Sequence, residues 1–136
     1  MKIVADTNRV IAALIKDSIS RKILFNKNFE FISPDYTTTE IHKYEEEIIE
    51  KAKVNKEEFE ILLSLIFEHI EIIPKEKYQD FLEEAEKIIK DIDDISFIAV
   101  SLAIKADGIW SDDPHFLWQD KVKIFKTEDM LRFLEE

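Results

Sequence analysis

Short apolar segments of strand length alternate with longer segments of helical periodicity along this chain, and this alternation restricts the fold more than any other sequence feature. Strands are predicted at residues 2–6, 30–33, 70–73, 109–111 and 122–125. Strands that are separated by helices need crossover connections, which place them parallel in one sheet. We therefore predict an α/β fold, an α/β/α sandwich around a mostly parallel sheet of four to five strands.

The segments between these strands carry apolar residues three and four positions apart, as helices do. Helices are predicted at residues 8–15, 19–25, 37–53, 78–89, 94–104 and 127–134, with another opening at Asn55 and a short one at Asp113-Pro114. Asp107-Gly108 is expected to stop the helix that begins at Asp94. The chain has 136 residues, which fits a single domain spanning residues 1–136.

Four acidic residues occupy positions where a predicted strand ends or a helix begins. Asp6 and Asp113 follow strands, whereas Glu40 and Asp94 lie at or near the start of helices. In parallel sheets the strand carboxyl ends and helix N-termini converge on one crevice, so all four can face the same edge. Two carboxylates about 4 Å apart repel by roughly 4 kcal/mol at an effective dielectric of about 20, so a shared pocket must bind protons or divalent cations. A metal-dependent hydrolase is the first interpretation.

Each of these acids also has a purely structural explanation as a helix cap, worth about 1 kcal/mol. Thr37 and Glu40 have the spacing of a capping box, Asp94 precedes an apolar helix, and Asp113 precedes a proline. Spacing alone leaves both interpretations open.

The charge balance of the chain argues against a general electrostatic grip on nucleic acid. The net charge is −11, although residues 1–27 contain six basic residues against Asp6 and Asp17. This N-terminal excess is either a local phosphate-facing surface or a set of solvated helix faces. The absence of cysteine excludes disulfides, thiolate metal sites and thiol nucleophiles.

Neither a leader segment nor a membrane span is expected. Asp6 interrupts the N-terminal apolar stretch, and the apolar run at residues 95–104 is too short to cross a bilayer. These features predict a cytoplasmic protein with no membrane association.

The chain resembles the PIN-domain ribonuclease family in four motifs that occur in order over nearly its whole length. The motifs are Asp6-Thr7-Asn8, Ser33-Pro34 with Glu40-Ile41, Asp91-Ile92-Asp93-Asp94 with Phe97 and Ala99, and Ala106-Asp107 to Trp110-Ser111-Asp112-Asp113-Pro114-His115-Phe116. In the fourth motif a hydroxyl residue is followed two positions later by Asp and five positions later by an aromatic residue. The resemblance implies a PIN-like fold and a nuclease activity.

The resemblance also assigns roles to individual residues. It implies that the catalytic and metal-binding acids are Asp6, Glu40, Asp94 and Asp113, with Asn8 and Ser111 as supporting hydrogen-bond groups. Second-tier candidates are Asp91, Asp93, Asp112 and Arg9, of which Arg9 stands where the family usually has an apolar residue. We expect Arg9 to form an ion pair with the acidic cluster or to orient a substrate phosphate. Mg²⁺ or Mn²⁺ would suit such an oxygen-rich site.

The implied function is hydrolysis of single-stranded or structured RNA. The chain is little more than a catalytic domain, which matches VapC-type toxins; the resemblance then implies a homodimer and an inhibitory antitoxin protein. One alternative is a PIN-like module that binds RNA or protein without cutting it. Another is an aspartate-nucleophile phosphatase, which would need a second Asp where this chain has Asn8.

Histidine and tryptophan side chains are further candidates for the site. The histidines are poor catalytic candidates: His42 and His69 lie in helical sequence without partners at ligand spacing, whereas His115 follows Asp113-Pro114 near the expected crevice. Trp110 and Trp118 are able to stack on bases, yet each lies beside apolar residues. We expect both tryptophans in the core, and a contact of His115 with substrate or metal stays open as the less favoured alternative.

Overall fold

A five-stranded parallel sheet forms the centre of the structure, a computed structural model that describes residues 1–16 and 18–135. The strands are β1 (Lys2–Ala5), β2 (Glu30–Pro34), β3 (Ile70–Ile73), β4 (Gly108–Trp110) and β5 (Ile124–Phe125). Within the described residues they pair in the order β3-β2-β1-β4-β5, and every pairing is parallel. The predicted mostly parallel sheet is confirmed, and β5 is shorter than the predicted segment 122–125.

Helices cover both faces of this sheet. They are α1 (Thr7–Ile15), α2 (Ser18–Leu24), α3 (Tyr36–Lys43), α4 (Glu45–Ala52), α5 (Lys56–Phe67), α6 (Leu82–Ile88), α7 (Ile92–Ile104) and α8 (Thr127–Glu135). Short 3₁₀ helices occur at Lys75–Lys77, Gln79–Phe81 and Pro114–Trp118. Among the residues that the structure describes, no helix combines the length and the apolar character needed to cross a membrane.

The alternation of side chains along β1 divides the interior into two cores. Ile3 packs in one core with residues of α1, α5 and α8, whereas Val4 packs in the other with residues of α6 and α7. This arrangement is the predicted α/β/α sandwich. Asn55 caps α5 through a capping box with Glu58, as the predicted helix start at that position requires.

The predicted helix 37–53 is wrong, because the structure has two helices that meet at Tyr44. Tyr44 ends α3 and precedes α4 with a backbone conformation outside the helical region (φ −104°, ψ 14°). The sequence hides this break, since Ile41 and Ile48 stand seven residues apart and keep the helical period. The change of direction places Tyr44 beside the cavity described below.

Two other predicted helix starts are also wrong. The segment from Tyr78 begins with 3₁₀ turns and becomes α-helical only at Leu82, because the buried Tyr78 hydroxyl donates to Asp35 at 2.5 Å and holds a non-helical backbone (φ −123°). Helix α7 begins at Ile92 rather than Asp94, because the carboxylate of Asp91 accepts a hydrogen bond from the Asp93 backbone N–H and caps the helix.

Trp118 contradicts the expectation that both tryptophans lie in the core. Trp110 is fully buried, but Trp118 is 79% exposed. The reason is local geometry. In the 3₁₀ helix Pro114–Trp118 the inward position is taken by Phe116, which leaves Leu117 and Trp118 facing outward.

Gly108 does not stop the preceding helix, contrary to the sequence-based prediction. Helix α7 ends at Ile104, where Lys105 adopts the left-handed conformation (φ 57°). Gly108 instead lies in β4, where a Cβ atom would stand 2.6 Å from the Phe125 ring and 2.9 Å from the Lys123 carbonyl oxygen. Glycine is required here by the close approach of β5.

Gly108→Ala is therefore expected to destabilise the protein by about 1–3 kcal/mol, because the Phe125 ring and the Lys123 carbonyl group just before β5 must move. Urea denaturation would measure the loss. The exposed helical substitution Glu60→Ala serves as the control and should change stability by less than about 0.5 kcal/mol. A stability of Gly108→Ala equal to that of Glu60→Ala would show that β5 is free to shift.

Candidate active site

The four acids named from the sequence line one cavity at the carboxyl edge of the sheet. The order of the strands reverses between β1 and β4, and at such a switch point the connecting segments diverge and leave a crevice. Asp6 follows β1, Asp113 follows β4, Glu40 lies on α3 and Asp94 on α7. Together with Asn8 they line a cavity of about 390 Å³. The fold thus brings together side chains that are up to 107 positions apart in the sequence.

Asp6 is buried at the bottom of this crevice, with 6% of its surface exposed. Its carboxylate oxygen Oδ2 accepts a hydrogen bond of 2.7 Å from the Ser111 hydroxyl, which joins the ends of β1 and β4. Asp6 occupies the cap position of α1, but its side chain makes no capping hydrogen bond. Capping therefore does not account for this carboxylate.

Asp94 is the least satisfied of the four acids. It is 7% exposed and lies in the first turn of α7, where Asp91 already supplies the cap. Its Oδ2 atom is buried and has no hydrogen-bond partner among the described residues. Buried carboxylate oxygens in native proteins nearly always have a partner, so this atom indicates that a ligand belongs beside it.

Glu40 is held by a hydroxyl group that sequence reasoning missed. The Thr7 hydroxyl donates to Glu40 Oε1 at 2.6 Å, and the Thr37 hydroxyl lies 3.2 Å from that of Thr7. The expected capping box between Thr37 and Glu40 is absent, because α3 begins at Tyr36 and its cap position, Asp35, makes no side-chain cap. Thr7 was visible in the first motif, but nothing in the sequence indicated its partner.

Asp113 has the predicted capping role as well as a place in the cavity. Its Oδ1 accepts from the His115 backbone N–H at 2.9 Å and so caps the 3₁₀ helix, while its own N–H donates to Ser111 Oγ at 3.0 Å. Ser111 consequently contacts two of the four acids. Its hydroxyl fixes the spacing between the ends of β1 and β4.

His115, which the sequence indicated as a poor catalytic candidate near the crevice, stands among the carboxylates. Its Nδ1 atom lies 3.5 Å from Asp113 Oδ1, 3.6 Å from Asp91 Oδ2 and 3.9 Å from Asp94 Oδ2. Asp91, Asp94 and His115 each offer one ligand atom within 4.8 Å of the others. Only the position of His115 two residues after Asp113 signalled this placement.

The remaining second-tier residues are engaged in specific contacts around the cavity. Asp93 accepts a hydrogen bond of 2.5 Å from the Tyr36 hydroxyl. Arg9 forms an ion pair of 3.1 Å with Asp112, which also accepts from the Thr127 hydroxyl at 2.6 Å. The ion pairing expected of Arg9 is present, and its partner is an acid outside the four.

Burial and mutual repulsion raise the pKa values of Asp6, Glu40 and Asp94. Burial, followed by the charges of Asp91 and Asp113, raises the pKa of Asp94 to about 7. Burial also raises the pKa of Asp6 to about 6, against the lowering effect of the Ser111 hydrogen bond, and it raises the pKa of Glu40. A divalent cation would displace protons from these carboxyl groups and replace repulsion by attraction.

The raised pKa values predict how stability depends on pH in the absence of divalent ions. Between about pH 4 and pH 7 the folded state binds more protons at Asp94 than the unfolded chain does, so this residue lowers stability as pH rises. We expect Asp94→Asn to gain roughly 1–4 kcal/mol over the wild type between pH 4 and pH 8. Urea denaturation in chelator at both pH values measures this difference. Asp80→Asn, at an exposed position, should show no such gain; an equal gain in both variants would contradict the buried state of Asp94.

The donor set fits a hard divalent cation. It consists of carboxylate oxygens from four segments of the chain, supplemented by one imidazole nitrogen, and it includes the unpartnered Asp94 Oδ2. Oxygen-rich sites of this kind suit Mg²⁺ and Mn²⁺. Among the described residues, Asp91, Asp94 and His115 form a group that could hold such an ion, and Asp6, Glu40 and Asp113 line the same cavity.

Comparison with known protein families gives one match that spans nearly the whole chain. A family model described as PIN domain matches residues 4–134. A search of curated proteins finds no match.

Proposed function

Because the chain belongs to the PIN-domain family, which has a nuclease fold, we propose that it is a divalent-metal-dependent ribonuclease hydrolysing RNA phosphodiester bonds. The observation that carries this proposal is the convergence of four carboxylates on one cavity, one of them with a buried and unpartnered oxygen. In this proposal residues 1–136 act as one nuclease domain, and the protein acts in the cytoplasm.

In this proposal Asp6, Glu40, Asp94 and Asp113 hold Mg²⁺ or Mn²⁺. When bound, such an ion lowers the pKa of a water molecule and stabilises negative charge on the departing 3′ oxygen. Ser111 orients Asp6, and Thr7 orients Glu40, so that both carboxylates point into the cavity without rearrangement. The products are a 5′-phosphate and a 3′-hydroxyl.

The surroundings of the acids support metal-dependent chemistry over a non-catalytic role. A purely structural set of caps would satisfy each carboxylate locally, and only Asp113 does so in the hydrogen bonds of its own segment. Without a bound cation, the negative charges of these carboxylates would repel the phosphates of the RNA backbone. The site is therefore suited to phosphate only together with cations.

Within this class we propose a toxin of the VapC type, acting as a homodimer and inhibited by an antitoxin protein. The small size of the chain supports this proposal, as do Ile61 and Leu65, two exposed apolar side chains one turn apart on α5 that offer a contact for a partner. Copurification of a short protein that blocks cleavage would test it. A monomer at micromolar concentration, with no inhibitory partner from its own cell extract, would contradict it.

The nuclease proposal is tested with purified protein and fluorogenic RNA, single-stranded and hairpin, in Mg²⁺, in Mn²⁺ and in chelator. We expect cleavage that requires the divalent ion and leaves 5′-phosphate ends. Binding of RNA without any cleavage in either metal would favour the non-catalytic module.

A further inference from the structure

Trp118 leaves a large aromatic surface in solvent beside the active site. Its side chain is 79% exposed, whereas a tryptophan typically buries about 150–250 Å² in a fold. The other tryptophan, Trp110, is fully buried and its indole N–H donates to Thr127. Of the two tryptophans, only Trp118, at the end of the 3₁₀ helix Pro114–Trp118, exposes its indole to solvent.

His115 connects this indole to the acidic cluster. The His115 and Trp118 rings are 4.7 Å apart between centroids and tilted by 54°, so the imidazole packs against the indole. The same imidazole contacts Asp91, Asp94 and Asp113 through Nδ1. Only one side chain therefore separates Trp118 from the acids proposed to act on the scissile phosphate.

Trp118 lines two clefts, and one of them shares lining residues with the catalytic cavity. The cleft of about 340 Å³ shares Asp91 and His115 with the catalytic cavity and is otherwise lined mainly by apolar residues. The second cleft has about 580 Å³ and shares Ile88 and Trp118 with the first. A polymer that occupies the catalytic cavity can continue into these clefts past the indole.

The charge around Trp118 differs from that of the catalytic cavity. In the two clefts three lysines balance three acids: Lys87, Lys90 and Lys121 against Glu84, Asp91 and Asp120. None of these lysine side chains forms an ion pair within the part of the chain that the structure describes. On a chain of net charge −11, this neutral surface with free ammonium groups is one that a phosphate backbone can approach.

We infer that Trp118 is a stacking platform for an unpaired base of the RNA substrate, next to the phosphate positioned in the acidic cavity. The inference rests on the proposed ribonuclease function and narrows its substrate to RNA that is single-stranded at this position. A base with an exposed face is able to cover the indole, whereas a base paired in a duplex has both faces stacked on its neighbours. Stacking on an aromatic side chain tolerates any base, so the contact contributes affinity rather than sequence preference.

The two tryptophans allow a direct test by fluorescence. Because Trp110 is fully buried, quenching by a short single-stranded RNA reports on Trp118. The titration uses the Asp94→Asn background to prevent cleavage. We expect quenching by single-stranded RNA and little quenching by a blunt RNA duplex of the same sequence.

Affinities of variants in the same background are measured by anisotropy of labelled RNA. We expect Trp118→Ala to bind about 5- to 100-fold more weakly and Trp118→Phe to keep most of the affinity. Leu117→Ala is the matched control, since Leu117 is exposed on the same 3₁₀ helix but lines neither cleft. An abasic nucleotide at the stacked position should weaken binding to the parent protein and have almost no further effect on Trp118→Ala, as expected for two changes that remove one contact.

The outcomes separate this inference from the nuclease proposal. If wild-type protein cleaves RNA but Trp118→Ala binds as tightly as Leu117→Ala, the stacking role is overturned and the nuclease stands. If RNA binds through Trp118 but wild-type protein does not cleave it, the nuclease proposal fails alone. If RNA leaves the fluorescence unchanged and Trp118→Ala dissociates a dimer in sedimentation, the indole belongs to a protein interface and the inference is wrong.

Discussion

Replacing Asp94 with Asn is expected to lower RNA cleavage by about 10²- to 10³-fold without disturbing the fold. Asn keeps the size of the side chain but removes its charge. Asp94 is the acid whose buried Oδ2 atom has no hydrogen-bond partner among the described residues. The loss should appear in the rate constant of the chemical step, because the metal ion that Asp94 is proposed to hold acts on the reacting phosphate. Single-turnover cleavage of fluorogenic RNA in Mn²⁺ measures it.

Two control variants make the Asp94→Asn result specific. Asp6→Asn should reproduce the loss, since Asp6 faces the same cavity, whereas the exposed Asp80→Asn should cleave at the wild-type rate. Cleavage that persists in both Asp94→Asn and Asp6→Asn would assign the activity to a contaminant. If Asp94→Asn is more stable than the wild type at pH 8, as predicted, its loss of activity is not caused by unfolding.

Mg²⁺ or Mn²⁺ is expected to raise the melting temperature strongly at pH 8 and weakly at pH 5. At pH 8 Asp6 and Asp94 have lost their protons and repel each other, so a bound cation stabilises the folded state by removing this repulsion. At pH 5 both lie below their pKa values of about 6 and about 7, so the cation must first displace protons. An ion at one hundred times its Kd stabilises by about 2.7 kcal/mol, which corresponds to roughly 10 °C for a chain of this size.

Differential scanning calorimetry with and without the ion checks this prediction. The shift at pH 8 should disappear in Asp94→Asn and persist in Asp80→Asn. An equal shift in all three proteins would mean that the ions bind elsewhere on this acidic surface.

Most of the sheet could be predicted because its strands are short apolar runs with clear boundaries. Pro34 and Pro74 close β2 and β3, and Asp6 follows β1. Several helix boundaries could not be predicted, because they depend on contacts distant in sequence. The hydrogen bond from Tyr78 to Asp35 spans 43 positions, and the break at Tyr44 leaves the apolar period of Ile41 and Ile48 intact.

The candidate site, like the fold, has a part that the sequence could predict and a part that it could not. That Asp6, Glu40, Asp94 and Asp113 face one cavity could be predicted, since in a parallel sheet the carboxyl ends of strands meet at one edge. The hydroxyl of Thr7 on Glu40 and the imidazole of His115 among the carboxylates depend on side-chain direction, which has no periodic signal. The prediction that Trp118 is buried is wrong. Apolar neighbours in the sequence suggest burial, but the 3₁₀ helix turns this side chain toward solvent.

The cation-binding role of this cavity is tested most directly by crystals of the protein soaked in Mn²⁺ and measured at a wavelength where manganese scatters anomalously. We predict an anomalous peak inside the cavity, coordinated by Asp94 and by at least one of Asp6, Glu40 and Asp113, and its loss in crystals of Asp94→Asn. Saturating Mn²⁺ that gives peaks only at other surface carboxylates, with the Asp94 side chain unliganded, would contradict the proposed metal centre and the nuclease mechanism that depends on it.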